Sequence, residues 1–155
     1  MATLSTKPGA AADPTDRELA ALVDEYNRVL SQGKAPFDLA RAAHLYKRDD
    51  DFMAYDLSPP NAGYCGWKAY EAAWYKIMAN YASFHLAAND DLRIGRRGDA
   101  AWTSFSFRVW GERQGGQPYN AEGRVTLIWV REGGKWLITH EHVSTPRVPP
   151  APPPK

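Results

Sequence analysis

The chain has 155 residues, 44% of them hydrophobic, and a net charge of +1, which suits one globular domain with a real core. Without a basic run it disfavours nucleic acid and anionic membrane as partners. The single cysteine, Cys65, excludes an intrachain disulfide and a Cys-based zinc site.

No apolar stretch reaches the roughly 18 residues of a membrane helix. The N-terminus MATLSTKPGAAADPTD lacks the apolar core of a secretory signal, so a cytoplasmic, reducing setting is expected. Six tryptophans, eight tyrosines and five phenylalanines are many for this length, and aromatic-rich small domains use them to line a cavity or an interface.

Residues 1–13 are small and polar and 147–155 are proline-rich, so mobile extensions are expected to flank one domain over 14–146. Asp13-Pro14-Thr15-Asp16 has helix-start chemistry, with Pro at the first position and acids in the first turn. Leu19, Leu22, Val23, Tyr26, Val29 and Leu30 recur at helical spacing, predicting an amphipathic helix that ends near Gly33. Tyr26 then faces the core and its hydroxyl needs a partner. A second helix is predicted from Pro36 to about Tyr46, with Phe37, Ala40, Ala43 and His44 on one side. Asp49-Asp50-Asp51 lacks the spaced ligands of a calcium loop and reads as a solvated run. It leads into a short strand through Phe52–Asp56, which Ser58-Pro59-Pro60 ends. A third helix is predicted from Trp67 to about Tyr81, its aromatic stripe including Trp67, Tyr70 and Trp74.

From Ser83 the signals are strand-like. Phe84–Ile94 reads as one strand and Gly95–Asp99 as a turn. Thr103, Phe105, Phe107 and Val109 then alternate with Trp102, Ser104, Ser106, Arg108 and Trp110. Two last strands from Asn120 to Pro146 close the fold as a hairpin over Gly133-Gly134, where positive φ is needed. On them Val125, Leu127, Trp129, Leu137 and Val143 share one face with Thr139 and a lone acid, Glu141. Trp136, Ile138, His140 and His142 fall on the other with Arg124, a mixture suited to a subunit interface. Three helices followed by a four-stranded antiparallel meander give an α+β layer, the helices covering one face of a curved sheet.

Reactive constellations are few. His140 and His142 would stand about 7 Å apart on a strand without a third ligand, so no metal site is predicted. No GxSxG elbow and no glycine-rich phosphate loop exist, and no cofactor is expected. Glu141 on an apolar face is costly unless it is paired, protonated or solvated inside a cavity; the alternative is a water-exposed sheet surface.

The segment Tyr55-Asp56-Leu57-Ser58-Pro59-Pro60 before Gly66 and the stretch from Gly134-Lys135-Trp136 to His140-Glu141-His142-Val143-Ser144-Thr145-Pro146 resemble the cone-shaped domains similar to nuclear transport factor 2, in particular the SnoaL-like and ketosteroid-isomerase-like branch. The resemblance covers about residues 15–146. The closing strand is also similar to the association domain of calcium/calmodulin-dependent kinases. It implies three helices on a curved, mainly antiparallel sheet with an internal pocket; the chemistry stays open, because this scaffold hosts many activities.

In ketosteroid isomerases a first-helix tyrosine seven residues before a glycine donates to the developing enolate, and Tyr26 stands at that distance from Gly33. Asp56 is similar to their general base; its other reading is a strand-end residue satisfying the following turn. No acid stands on the penultimate strand at Val125-Thr126-Leu127, where the second enolate donor of those enzymes would be. The resemblance thus implies a small apolar or aromatic ligand in the cone. Asp56, Tyr26 and Glu141 would carry acid–base chemistry of an isomerase, cyclase or hydratase, and Trp67, Trp74, Phe105, Phe107, Trp129 and Thr139 would bind substrate. It also implies a homodimer through the outer sheet face, with Trp102, Trp110, Trp136, His140 and His142 on that surface. The alternative function is a non-catalytic dimerisation or association module.

Overall fold

In the computed structural model, which describes residues 3–5, 13–33 and 36–146, the longest strands are the last ones. Strand β6 (Ala100–Arg113), β7 (Pro118–Glu132) and β8 (Lys135–Ser144) form an antiparallel core ladder. The β7–β8 connection is Gly133-Gly134 with φ of +55° and +80°, the left-handed pair that a tight hairpin matched to strand twist requires. On β6 and β7 the alternation is kept without interruption: Thr103, Phe105, Phe107 and Val109, like Val125, Leu127 and Trp129, are buried.

Among the described residues the sheet has eight strands rather than four. Its order is β1 (Thr3–Ser5), β5 (Arg93–Arg97), β6, β7, β8, β2 (Met53–Tyr55) and β3 (Tyr64–Cys65), with β4 (Tyr81–Ala88) also on β6. The predicted single strand Phe84–Ile94 is two strands that share one edge of β6, with β4 along Phe107–Arg113 and β5 along Ala100–Ser104. Between them Asn89 and Asp91 bond Ser106 through their side chains, the amide to its Oγ and the carboxylate to its backbone N–H, which takes the place of ladder bonds and lets the chain step aside. Gly95 consequently lies inside β5, where the Trp102 indole covers the space a Cβ would need, and the turn is only Gly98-Asp99. Strand β2 pairs with β8 in parallel, Ala54 opposite Glu141.

Helix α1 (Pro14–Leu30) starts as its sequence predicts: Asp13 accepts from the Thr15 N–H at 2.9 Å, with Pro14 behind it. Leu19, Val23, Tyr26 and Leu30 bury one face. Helix α2 (Trp67–Met78) buries Trp67, Tyr70, Trp74 and Met78, also at helical spacing. The predicted second helix is replaced by two 3-10 turns, Leu39–Arg41 and Ala43–Leu45. They bury Leu39, Ala42, Ala43, Leu45 and Tyr46, while Ala40 and His44, predicted on the same helical side as Ala43, are exposed. The physical reason lies at the end of the segment: Tyr46 is extended and bridges Ile138, and Lys47 N–H donates to the Ile138 carbonyl at 2.8 Å. A chain that must reach a strand within a few residues is better served by the longer rise of a 3-10 turn.

Strand β8 corrects another expectation. Trp136 and Ile138 are buried, and so is Glu141. Ile128 pairs with His140 and Trp129 with Ile138, leaving Thr139 as an extra residue. This bulge moves Trp136 and Ile138 to the helix-facing side, takes Leu137 and Thr139 off it, and restores Glu141 and Val143 to it. Without the extra residue, Trp136 and Ile138 inside would force Glu141 outside. The proline-rich segment 147–155 and most of the predicted N-terminal extension, 1–2 and 6–12, lie outside the described residues.

Candidate functional site

Three elements that converge on β8 each supply a tyrosine. Tyr26 comes from the buried face of α1, Tyr70 from that of α2, and Tyr46 from the extended residue after the second 3-10 turn. All three hydroxyls donate to the carboxylate of Glu141: Tyr26 and Tyr70 to Oε1 at 3.1 and 2.9 Å, Tyr46 to Oε2 at 2.9 Å. Glu141 is 1% exposed. Burial, followed by the negative charge of Asp56, raises its pKa from 4.5 to about 7, against the lowering effect of the three tyrosine hydrogen bonds. The same burial and the same carboxylates push all three phenols well above their ordinary value, so they remain donors.

Asp56 follows β2, half-buried, where the chain turns away from the sheet. Its carboxylate accepts from the backbone N–H groups of Leu57 and Ser58. Burial raises its pKa and these donors oppose the rise. Between the two acids lies a cavity of about 110 Å³ whose wall includes Tyr26, Asp56, Trp74, Phe107, Glu141 and Val143. Leu57, next to Asp56, is the exposed residue of the lining and marks its mouth.

Of the residues predicted to form the site, Tyr26, Asp56, Glu141, Trp74 and Phe107 therefore meet at one cavity. The others stand behind it. Phe105 packs edge-on against Tyr26 at 6.3 Å. Trp129 is fully buried and its indole N–H donates to Thr103 at 3.0 Å. Trp67 packs on Tyr46 at 5.0 Å, and Thr139 is the bulge residue. Tyr46 and Tyr70 are the residues that sequence reasoning missed. The signal was present: an acid on an apolar face needs donors, and core-facing tyrosines need acceptors.

Among the described residues no group of three or more metal-ligating side chains comes together. His140 and His142 lie 6.5 Å apart between ring centres, with Tyr55 against both at 5.9 and 5.5 Å. Trp136, expected beside them, is turned inward and 4% exposed, as the bulge dictates. No described helix is long and apolar enough to cross a membrane.

Known proteins share this architecture. A nuclear transport factor 2-like superfamily protein from Salmonella enterica has a TM-score of 0.74 at 19% identity, over 90% of this chain and 96% of that one. A ketosteroid isomerase candidate from Shewanella frigidimarina scores 0.62 at 18% identity, over 80% and 92%. The association domain of C. elegans calcium/calmodulin-dependent protein kinase II scores 0.55 at 16% identity, over 84% and 92%. At these identities the likeness is one of fold alone. Among curated proteins the sequence has no match. The family model of the SnoaL-like domain matches residues 19–148, and the chain belongs to that family.

Proposed function

We propose that the protein binds a small apolar or aromatic molecule in this cavity and moves a proton on it, as an isomerase, cyclase or hydratase does. The observation that carries this reading is a single cavity touched by both Asp56 and Glu141. Two carboxylates in one apolar pocket separate their pKa values. Asp56, held by two backbone donors, ionises first and serves as the base that takes a proton from carbon or water. Glu141, near 7, is partly protonated at neutral pH and in that form can return a proton. Tyr26, which both lines the cavity and bonds Glu141, is the donor closest to the ligand. Tyr46 and Tyr70 are positioning residues that fix the carboxylate. Trp74 and Phe107 form apolar wall, braced from behind by Phe105, Trp67 and Trp129. Positioned proton transfer of this kind contributes about 10²–10⁴-fold, enough for an activated substrate.

Size narrows the substrate. An apolar cavity of about 150 Å³ accepts benzene, so a space of about 110 Å³ open at one side suits one ring or a short branched chain, and a four-ring steroid is too large. A thermal-shift screen of one-ring aromatic, alicyclic and short isoprenoid compounds tests the reading, followed by turnover assays on the best ligand. The expected result is stabilisation of the wild type, with turnover abolished by Asp56→Asn and by Glu141→Gln. No stabilisation by any compound, or turnover unchanged in both variants, refutes it.

The outer sheet face supports a second role that coexists with the first, assembly into a homodimer. Trp110 and Ile128 are 41% and 37% exposed there, and His85 stacks on Trp110 at 5.4 Å. The fold shared with a kinase association domain agrees with such a module. Light scattering after size exclusion should give twice the chain mass for the wild type and the single-chain mass for Trp110→Glu. A monomeric wild type removes this role. The low cysteine content agrees with a cytoplasmic site of action.

A further inference from the structure

The charges on the cavity wall do not balance. Among the residues lining it there are two carboxylates, Asp56 and Glu141, and no lysine, arginine or histidine. Inside a cavity an acid without a counter-charge is offset by a proton, by donors or by a cation. Glu141 has its three tyrosines and Asp56 has two backbone amides; these are neutral donors, and the electrostatic potential of the space stays negative. Its walls add to that sign. Tyr26, Trp74, Phe84 and Phe107 border it, and an aromatic face presents the negative side of its quadrupole to whatever stands over it; the rings of Tyr81 and Tyr119, also in the lining, already lie under the Arg113 guanidinium at 5.4 and 4.8 Å. Rings around a space open at one side, with a carboxylate near the mouth and another at the depth, form a surround for an organic cation.

We propose, on the reading that this cavity is the ligand site, that its ligand carries a protonated amine on a single-ring or short apolar body, the ammonium lying between Asp56 and the aromatic walls. A hard metal cation fits poorly. Both oxygens of Glu141 are taken by tyrosines, which leaves too few oxygen ligands for the six or more that calcium or magnesium requires. An anionic ligand would place its charge beside the Asp56 carboxylate with no cation in the lining to offset it. A neutral ring would fill the space and leave the imbalance standing.

Three compounds of nearly one shape separate these outcomes: benzylamine, benzyl alcohol and benzoate, titrated calorimetrically into the full chain at pH 7.5 and low salt. Benzylamine should bind at least about tenfold more tightly than benzyl alcohol, the factor that 1.4 kcal/mol of cation recognition gives, and benzoate should show no binding. In Asp56→Asn, whose fold is checked by circular dichroism, the preference of amine over alcohol should shrink to within about threefold. Equal binding of amine and alcohol, or tighter binding of benzoate, overturns the cationic ligand and leaves the pocket reading intact. Failure of all three to bind overturns both.

Discussion

Replacing Glu141 by glutamine should make the protein more stable above neutral pH while removing its proposed activity. In the folded chain Glu141 titrates near 7, against 4.5 in a free chain. A tenfold change in proton affinity corresponds to about 1.4 kcal/mol, so the difference is worth about 3 kcal/mol. Below pH 4.5 both states hold the proton and the group contributes no penalty. Between 4.5 and 7 the unfolded chain releases it while the folded one keeps it, so stability falls as pH rises, and above 7 the loss is complete. Glutamine preserves the shape, accepts through its oxygen and offers an N–H to one of the tyrosines, without the charge. Urea titrations followed by tryptophan fluorescence, run from pH 5 to pH 8, measure both proteins. The advantage of the variant over the wild type should grow across that range by at most about 3 kcal/mol, or roughly 6–12 °C in Tm for a chain of this size, with an unchanged urea slope. Taking the difference removes the other groups that titrate in the window. An advantage that is the same at pH 5 and pH 8 would refute the raised pKa and the reasoning built on it.

Tyr70→Phe removes a donor to Glu141 Oε1; the glutamate pKa should rise further, and the cost should be about 1.5–3 kcal/mol at pH 8, where the acceptor is charged, and smaller at pH 5. Comparing urea midpoints at the two pH values checks this. Gly111→Ala puts a Cβ onto the Ser83 carbonyl across the β4–β6 ladder, and thermal denaturation should show a loss of about 1–3 kcal/mol. By contrast, Arg96→Ala breaks pairs with Asp13 and Asp16 at 2.6 and 2.8 Å on a partly solvated surface, so the same experiment should record a loss of less than about 1 kcal/mol, reduced further by salt.

Sequence periodicity was enough wherever one pattern ran unbroken. Helix α1 and its Asp13 cap, the aromatic face of α2, and the inner faces of β6 and β7 all follow from spacing. It failed where two structures share a pattern. Apolar residues three apart suit a 3-10 turn as well as an α-helix, so Leu39–Leu45 could not be distinguished until the bridge of Tyr46 to Ile138 was known. The bulge at Thr139 has no local signature, because Trp136 to Val143 alternates acceptably in either parity. Glu141 was placed on the inner face from its parity with Val143, but its neighbours along β8 were not. Parity also gives the side of a sheet and not the depth beneath it: Phe105 and Phe107 share a face, yet only Phe107 borders the cavity. The three tyrosines come from separate elements, and only the tertiary fold brings them to one acid.

The proton on Glu141 is the centre of the functional account. Carbon-13 NMR of the protein labelled at glutamate carboxyl carbons, titrated from pH 4 to pH 9 with Glu141→Gln to assign the signal, follows that group alone. A carboxyl that titrates near 7, and at lower pH in Asp56→Asn where the neighbouring charge is gone, is the expected result. A Glu141 signal that titrates near 4.5, unmoved by the Asp56 substitution, would contradict it.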